Sequence, residues 1–196
     1  GLAQKGGAVT THVRISSEPS DIHAVRIAAG EADLVLGADM VVVNDYWVLS
    51  KIREGRAKVL LNTYEAMPGT FTRMPDLQFP AAQIIEAIRH ASGGVAPELV
   101  DAATLATTLM GDSIATNLFL LGFAWQRGLV PVSLEAIVRA IELNAAAVDM
   151  NKRAFNWGRY AAHEPEFVRK AAGIEAAGTA HPVTPEHIDD QHLSAD

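Results

Sequence analysis

Two observations predict a parallel α/β sheet followed by a helical half. Short apolar runs closed by glycine or asparagine, Asp33–Gly37 and Lys58–Asn62, flank a stretch of helical spacing, and residues after 100 repeat hydrophobics at i, i+3 and i+4. A third shapes the entry: from Val9 the side chains alternate, with Val9, Thr11, Val13 and Ile15 on one face and Thr10, His12 and Arg14 on the other, as in a strand with one buried face. That strand follows a polar loop, Gln4-Lys5-Gly6-Gly7, whose glycine pair can take positive φ and admit a backbone, a phosphate or a carboxylate. The plainer reading is an ordinary strand entered through a Gly-Gly turn, its His12 and Arg14 solvated.

The 196 residues suit one domain with an appendage, and 49% hydrophobic residues suffice for a core. A net charge of −7 with no concentrated basic face argues against nucleic acid as a partner. With 0 cysteines the chain can supply no thiolate to an iron–sulfur cluster or a structural zinc. No apolar run reaches the ~20 residues of a membrane helix, and no signal-peptide pattern is present, so a cytoplasmic location is the default expectation. The chain opens on Gly1 without a polar lead-in, which reads as a piece of something longer.

Taken in order, residues 16–20 form a polar break with Pro19, and residues 21–26 resume a short extended pattern that suits a loop or an edge strand. Asp33–Gly37 is expected as a strand buried on both faces. Residues 38–53 place Val41, Val48 and Ile52 at helical spacing, restarted by an Asn44-Asp45 cap, and Lys58–Asn62 is the next strand. The crossover between them should be right-handed, and Gly37, Asn62 and Thr63 should lie at the carboxyl ends where such sheets take ligands. Residues 63–79 read as a surface loop. Pro80 opens a helix to about His90, with Ile84, Ile85 and Ile88 inward and Ser92-Gly93-Gly94 closing it.

Asp101 should cap a helix over 102–109, and Gly111-Asp112 breaks before a long one, 113–127, apolar almost all round and therefore core or interface. Asn117 in that helix is expected as a buried amide tied to a neighbouring backbone. Ser133 caps a third helix, and the pattern continues to Tyr160. Lys152, Arg153 and Arg159 are expected near a helix C-terminus, with Phe155 and Trp157 available as interface anchors. Residues 1–173 are read as one domain and 174–196 as a flexible tail, whose His181, His187 and His192 lack ligand spacing. No complete G-x-G-x-x-G, P-loop, G-x-S-x-G or H-E-x-x-H occurs, so a self-contained hydrolase, kinase or dehydrogenase is disfavoured.

An ordered set of segments carries a resemblance. Gln4-Lys5-Gly6-Gly7-Ala8-Val9 with His12-Val13-Arg14, Glu31 to Gly37, Asn62-Thr63, Asp101-Ala102, Leu105-Ala106, Asn117, Leu121-Gly122, Asn151, Ala154-Phe155 and Gly158 together span about residues 1–160. The chain resembles the gamma domain of the 2-oxoacid:ferredoxin oxidoreductases, most closely the fused indolepyruvate enzymes. The resemblance implies a Rossmann-like domain of an enzyme that decarboxylates a 2-oxoacid on thiamine diphosphate, reduces ferredoxin through iron–sulfur clusters and forms an acyl-coenzyme A. Those cofactors sit mainly on other domains of such enzymes, and none is expected on this chain alone. No catalytic residue and no metal ligand is expected here.

The resemblance makes Gln4, Lys5, Gly6, Gly7, Thr10, His12, Arg14, Asn62 and Asn117 the candidates for cofactor or subunit contact. Family members carry a strand, a turn and a helix followed by a second strand ahead of this motif, and this sequence lacks them. A truncated domain is the expectation, inactive alone, with an open sheet edge that invites a second copy into a homodimer. Two other classes stay open: a stand-alone anion or nucleotide module at the Gly6-Gly7 loop, and an oligomerisation domain built on residues 113–127.

Overall fold

The computed structural model describes residues 8–64 and 80–174. A three-stranded parallel sheet, with β1 (Leu34–Gly37), β2 (Lys58–Asn62) and β3 (Glu98–Val100) in that order, is flanked by helices, as the α/β reading expects. The chain divides into two compact units, Gly1–Leu61 with Glu65–Glu98, and Asn62–Tyr64 with Leu99–Asp196.

In the first unit β1 (Leu34–Gly37) runs parallel to β2 (Lys58–Asn62), with Leu34 opposite Lys58 and Gly37 opposite Leu61. Between them lie α1 (Met40–Val43) and α2 (Tyr46–Leu49), and α3 (Ala81–Ala91) follows. The core gathers Met40, Val43, Ile52, Val59, Leu61, Ile84 and Ile88. Gly37 has a packing reason: a Cβ there would lie 2.6 Å from Val43 Cγ2 and 2.8 Å from Leu61 Cδ1, so glycine lets α1 close onto the strand.

Several expectations fail here for identifiable reasons. The predicted helix over 38–53 is two short ones. Asp39 and Asp45 each accept backbone N–H groups and restart the chain, the second at the predicted cap. Met40 and Val43, not Val41, face the core, because the register is set by Asp39. β1 is not buried on both faces: Leu36 is 39% exposed, since β1 is an edge strand with β2 on one side. Residues 9–15 form no strand, and the sides are inverted. Val9, Val13 and Ile15 are 80%, 65% and 54% exposed, whereas His12 and Arg14 are half-buried. Residues 22–26 form a loop, one of the two connections their pattern allowed, after a 3-10 turn at Pro19–Asp21.

The second unit begins with β3 (Glu98–Val100), whose Leu99 and Val100 belong to it, a strand too short for any periodicity to announce. It continues through α4 (Ala102–Met110), α5 (Thr116–Gln126), α6 (Leu134–Asn144), α7 (Val148–His163) and α8 (Pro165–Ala171). Asp101 caps α4 by accepting from Thr104 N, and Ser133 caps α6 by accepting from Ala136 N, both as expected. The predicted long helix from Ser113 opens with a 3-10 turn, and α5 spends its apolar surface internally on Phe119, Leu120, Gly122 and Ala124. Ile114, in the turn, is 66% exposed.

The centre of this unit is the crossing of α5 and α7. A Cβ on Gly122 would stand 1.9 Å from Phe155 O, and one on Gly158 would stand 1.9 Å from Phe119 O. The two backbones therefore touch, and only glycine at both positions allows it. Around this crossing Ile137, Ile141 and Phe155 form a cluster with Leu118, Leu121, Trp125 and Leu134 packed against it.

α6 and α7 are not continuous, because Ala145 and Ala147 take left-handed conformations with φ of 54° and 45°. Of the cations expected near a helix C-terminus, Arg159 lies in the C-terminal part of α7, whereas Lys152 and Arg153 lie in its first half. Lys152 lies early in α7 and pairs with Glu142 at 2.8 Å, while Arg159 is 2% exposed. Arg159 donates from Nε to Gln126 Oε1 at 3.2 Å and lies 5.0 Å over the Trp125 ring. Phe155 and Trp157 are core residues, each 1% exposed, not surface anchors. Asn117 is exposed, so its amide is solvated without a tie to a neighbouring backbone. The loop over 65–79, the tail from 175, the three tail histidines, and Gln4, Lys5, Gly6 and Gly7 lie outside the described residues.

Candidate functional site

Of the predicted site residues, the structure brings His12 and Arg14 together on one loop of the first unit, while Asn62 and Asn117 belong to the second. The loop is Arg26–Glu31, in the first unit. Ile27 N donates to His12 Nδ1 at 3.0 Å, which makes Nδ1 an acceptor and leaves Nε2 as the N–H of the neutral ring. Arg14 Nη2 donates to Glu31 Oε2 at 2.7 Å and to Arg26 O at 2.8 Å. Glu31 also accepts from Ala28 N at 3.2 Å. The Arg14 side-chain hydrogen bond, with Ala28 N second, holds the Glu31 carboxyl below its usual 4.5.

The same loop is tied from its other side. Arg53 donates from Nη1 to Asp33 Oδ1 at 2.6 Å, from Nη2 to Glu31 O at 3.2 Å and from Nε to Gly30 O at 3.4 Å. Arg14, the cation offered by the sequence to an anion, is thus committed to its own chain. Thr10 is exposed and takes no part. Glu31 and Arg53 went unrecognised as holders of this region because their partners lie 17 and 20 residues away, beyond any local spacing rule.

Asn62 sits at the carboxyl end of β2, as expected, and is 3% exposed. Its Oδ1 accepts from Tyr64 N at 3.4 Å and from Ala103 N at 3.2 Å, next to the Asp101 cap, while Thr63 N donates to Val100 O at 2.9 Å. The carboxamide therefore ends the strand and seats the first turn of α4. Asp39 fills the N-terminus of α1 in the same way, accepting from Val41 N and Val42 N. These two helix starts, where an open doubly wound sheet would receive a phosphate, are occupied by the chain's own oxygens. α3, entered through Pro80, carries no side-chain cap.

Among the described residues, no group of three or more His, Asp or Glu could hold a metal ion, and no helix is long and apolar enough to cross a membrane. His12, Arg14, Glu31 and Arg53 hold one loop, and Asp39 and Asn62 seat helix starts.

Comparison with known proteins gives the arrangement its context. The chain is 30% identical over 166 residues to the indolepyruvate oxidoreductase subunit IorB of Methanothermobacter thermautotrophicus, a match covering 84% of this chain and 80% of that protein. It is 29% identical over 164 residues to the protein of the same description from Archaeoglobus fulgidus, covering 81% of this chain and 75% of that protein. No solved structure matches it significantly. The family model for pyruvate ferredoxin/flavodoxin oxidoreductase matches residues 1–161, and the chain belongs to that family.

Proposed function

We propose that this chain is the gamma-type component of an indolepyruvate-type 2-oxoacid:ferredoxin oxidoreductase, supplying architecture and subunit contact instead of bond-making groups. The family match over residues 1–161 carries this reading. The relatives in two archaea, each described as an indolepyruvate oxidoreductase subunit, support the substrate class.

The complete enzyme turns a 2-oxoacid and coenzyme A into an acyl-coenzyme A and CO2, with two electrons passed to ferredoxin. Thiamine diphosphate, which supplies the carbanion chemistry when bound, and the iron–sulfur clusters belong in this reading to partner subunits. The donor set here does not fit a cluster: clusters are held by cysteine thiolates, and the chain has 0 cysteines.

The test is reconstitution. The purified chain alone should show no indolepyruvate- and coenzyme A-dependent reduction of ferredoxin or a viologen dye. Combined with the catalytic subunit of an indolepyruvate oxidoreductase stripped of its own small subunit, it should restore turnover. Turnover by the chain alone, or failure to bind the catalytic subunit, overturns the reading.

A further inference from the structure

We propose that the cleft between α6 and α7 is a binding site for a small monocarboxylate with an apolar body, its carboxylate seated on Arg159 and its body against Leu134, Val138 and Phe155. The inference concerns the second unit alone and does not depend on the catalytic reading.

The cleft follows from how the two helices are joined. α6 and α7 turn back on each other through residues 145–147, so Glu142 meets Lys152 at one end while Leu134 lies toward Arg159 at the other. Lys152, Phe155, Asn156 and Arg159 fall at i, i+3, i+4 and i+7, one stripe of α7. That stripe encloses a cavity of about 180 Å³ with Leu134 and Val138, one turn apart on α6. The cavity opens to solvent past Leu134, Val138, Lys152 and Asn156, which are only half-buried. It is smaller than the roughly 300–1,000 Å³ of sites for drug-sized ligands, so its occupant is a smaller molecule.

The walls define the chemistry of that molecule. Leu134, Val138 and Phe155 offer hydrocarbon, which favours an apolar body. Arg159 is 2% exposed, and its planar guanidinium matches the two oxygens of a carboxylate. The guanidinium is held in place by Nε donating to Gln126 Oε1 at 3.2 Å and by the Trp125 ring, 5.0 Å away. Its Nη1 reaches Asn156 Oδ1 at 3.4 Å, a long bond that a carboxylate oxygen can replace with a shorter, charge-assisted one. Charge attraction is strongest where water is excluded, which makes this buried end the anchor. Lys152 is instead engaged by Glu142 at 2.8 Å and forms the rim.

Titration of the full chain with phenylacetate, followed by proton–nitrogen NMR correlation spectra, tests this. Trp125 packs against Phe155 and under Arg159, so its indole N–H signal reports on the cleft, whereas Trp47 is 70% exposed in the first unit. The expected result is a saturable shift of the Trp125 signal with a millimolar Kd, while the Trp47 signal stays in place. Phenethyl alcohol, of similar shape without the charge, should bind about tenfold more weakly, the loss of one charge-assisted hydrogen bond. Arg159→Gln should weaken phenylacetate binding by at least as much. Because Arg159 is buried and its loss can unfold the chain, Val138→Phe is the second variant. It fills the cleft from a half-buried wall and should weaken binding about tenfold or more with an unchanged far-UV circular dichroism spectrum. A Trp125 signal that does not saturate overturns the proposal, as does a folded Val138→Phe variant that binds like the parent. Equal binding of the acid and the alcohol, or displacement of phenylacetate by inorganic phosphate, overturns the assignment to a monocarboxylate.

Discussion

The α5–α7 crossing and the arm at residues 8–17 are two answers to the problem of holding chain segments together. At the crossing, backbone lies on backbone, and Phe119 and Phe155 are closed off at 0% and 1% exposure. Along the arm no residue is buried, and the attachments are polar bonds to one loop. Among the described residues, nine of the fourteen large hydrophobics left exposed belong to the first unit, and five of them lie between residues 9 and 25. Apolar burial is irreversible in practice below the unfolding transition, whereas exposed ion pairs contribute little and can be traded. The first region is therefore built to stay shut and the second to be available.

The largest effect should come from filling the crossing. Gly122→Ala puts a methyl 1.9 Å from a backbone oxygen that cannot turn away. The gain of alanine over glycine in a helix, about 1 kcal/mol, cannot offset the separation of two backbones. We expect a net loss of about 3 kcal/mol or more, at or above the usual overpacking range, read by urea denaturation. A variant as stable as the parent would mean the helices can slide apart and would erase the contrast. Next is Asn62→Ala, which leaves the Ala103 and Tyr64 amides without their acceptor and should cost about 1–3 kcal/mol in the same assay.

A matched pair of smaller effects has opposite signs. Ser133→Ala removes the α6 cap and should cost about 1 kcal/mol. Ala145→Gly relieves a left-handed alanine and should raise stability by about 1 kcal/mol. Thermal melts of both variants sharpen the comparison by showing how much strain the second unit carries at its turn.

The smallest effect on global stability belongs to the arm. Glu31 is held below its usual 4.5, chiefly by Arg14, so its contribution is whole above that value and is lost as pH falls through the lowered folded value. Below about 4.5, NMR should show the Ala28 and Ile27 amide signals moving while the resonances of Phe119 and Phe155 stay in place. If core resonances move in step with the arm, the two regions are not separable.

The two regions also differ in how far they could be read from sequence. Helix starts were legible where a side chain acts on amides two or three residues ahead: Asp45, Asp101 and Ser133 were each expected as caps and each caps. β1, β2 and α3 were visible as short apolar runs or a three-isoleucine stripe. What stayed hidden depends on distant partners. The alternation of residues 9–15 was legible, but its buried side was inferred from hydrophobicity, while the side that packs was decided by Glu31 and the Ile27 amide. Asn117 was expected inside because its neighbours are apolar, yet the face it occupies on α5 is the outward one. Asn62 was placed correctly at a strand end, but as a ligand-facing candidate; that its oxygen seats α4 depends on a residue 41 positions away.

The glycine pair has a mechanical consequence. Side chains between helices act as a soft gasket, changing rotamer to absorb a displacement; between Gly122 and Gly158 there is none. A push on α5 is therefore delivered to α7 undiminished, and the two helices form a stiff cross-brace in which neither can shift without the other.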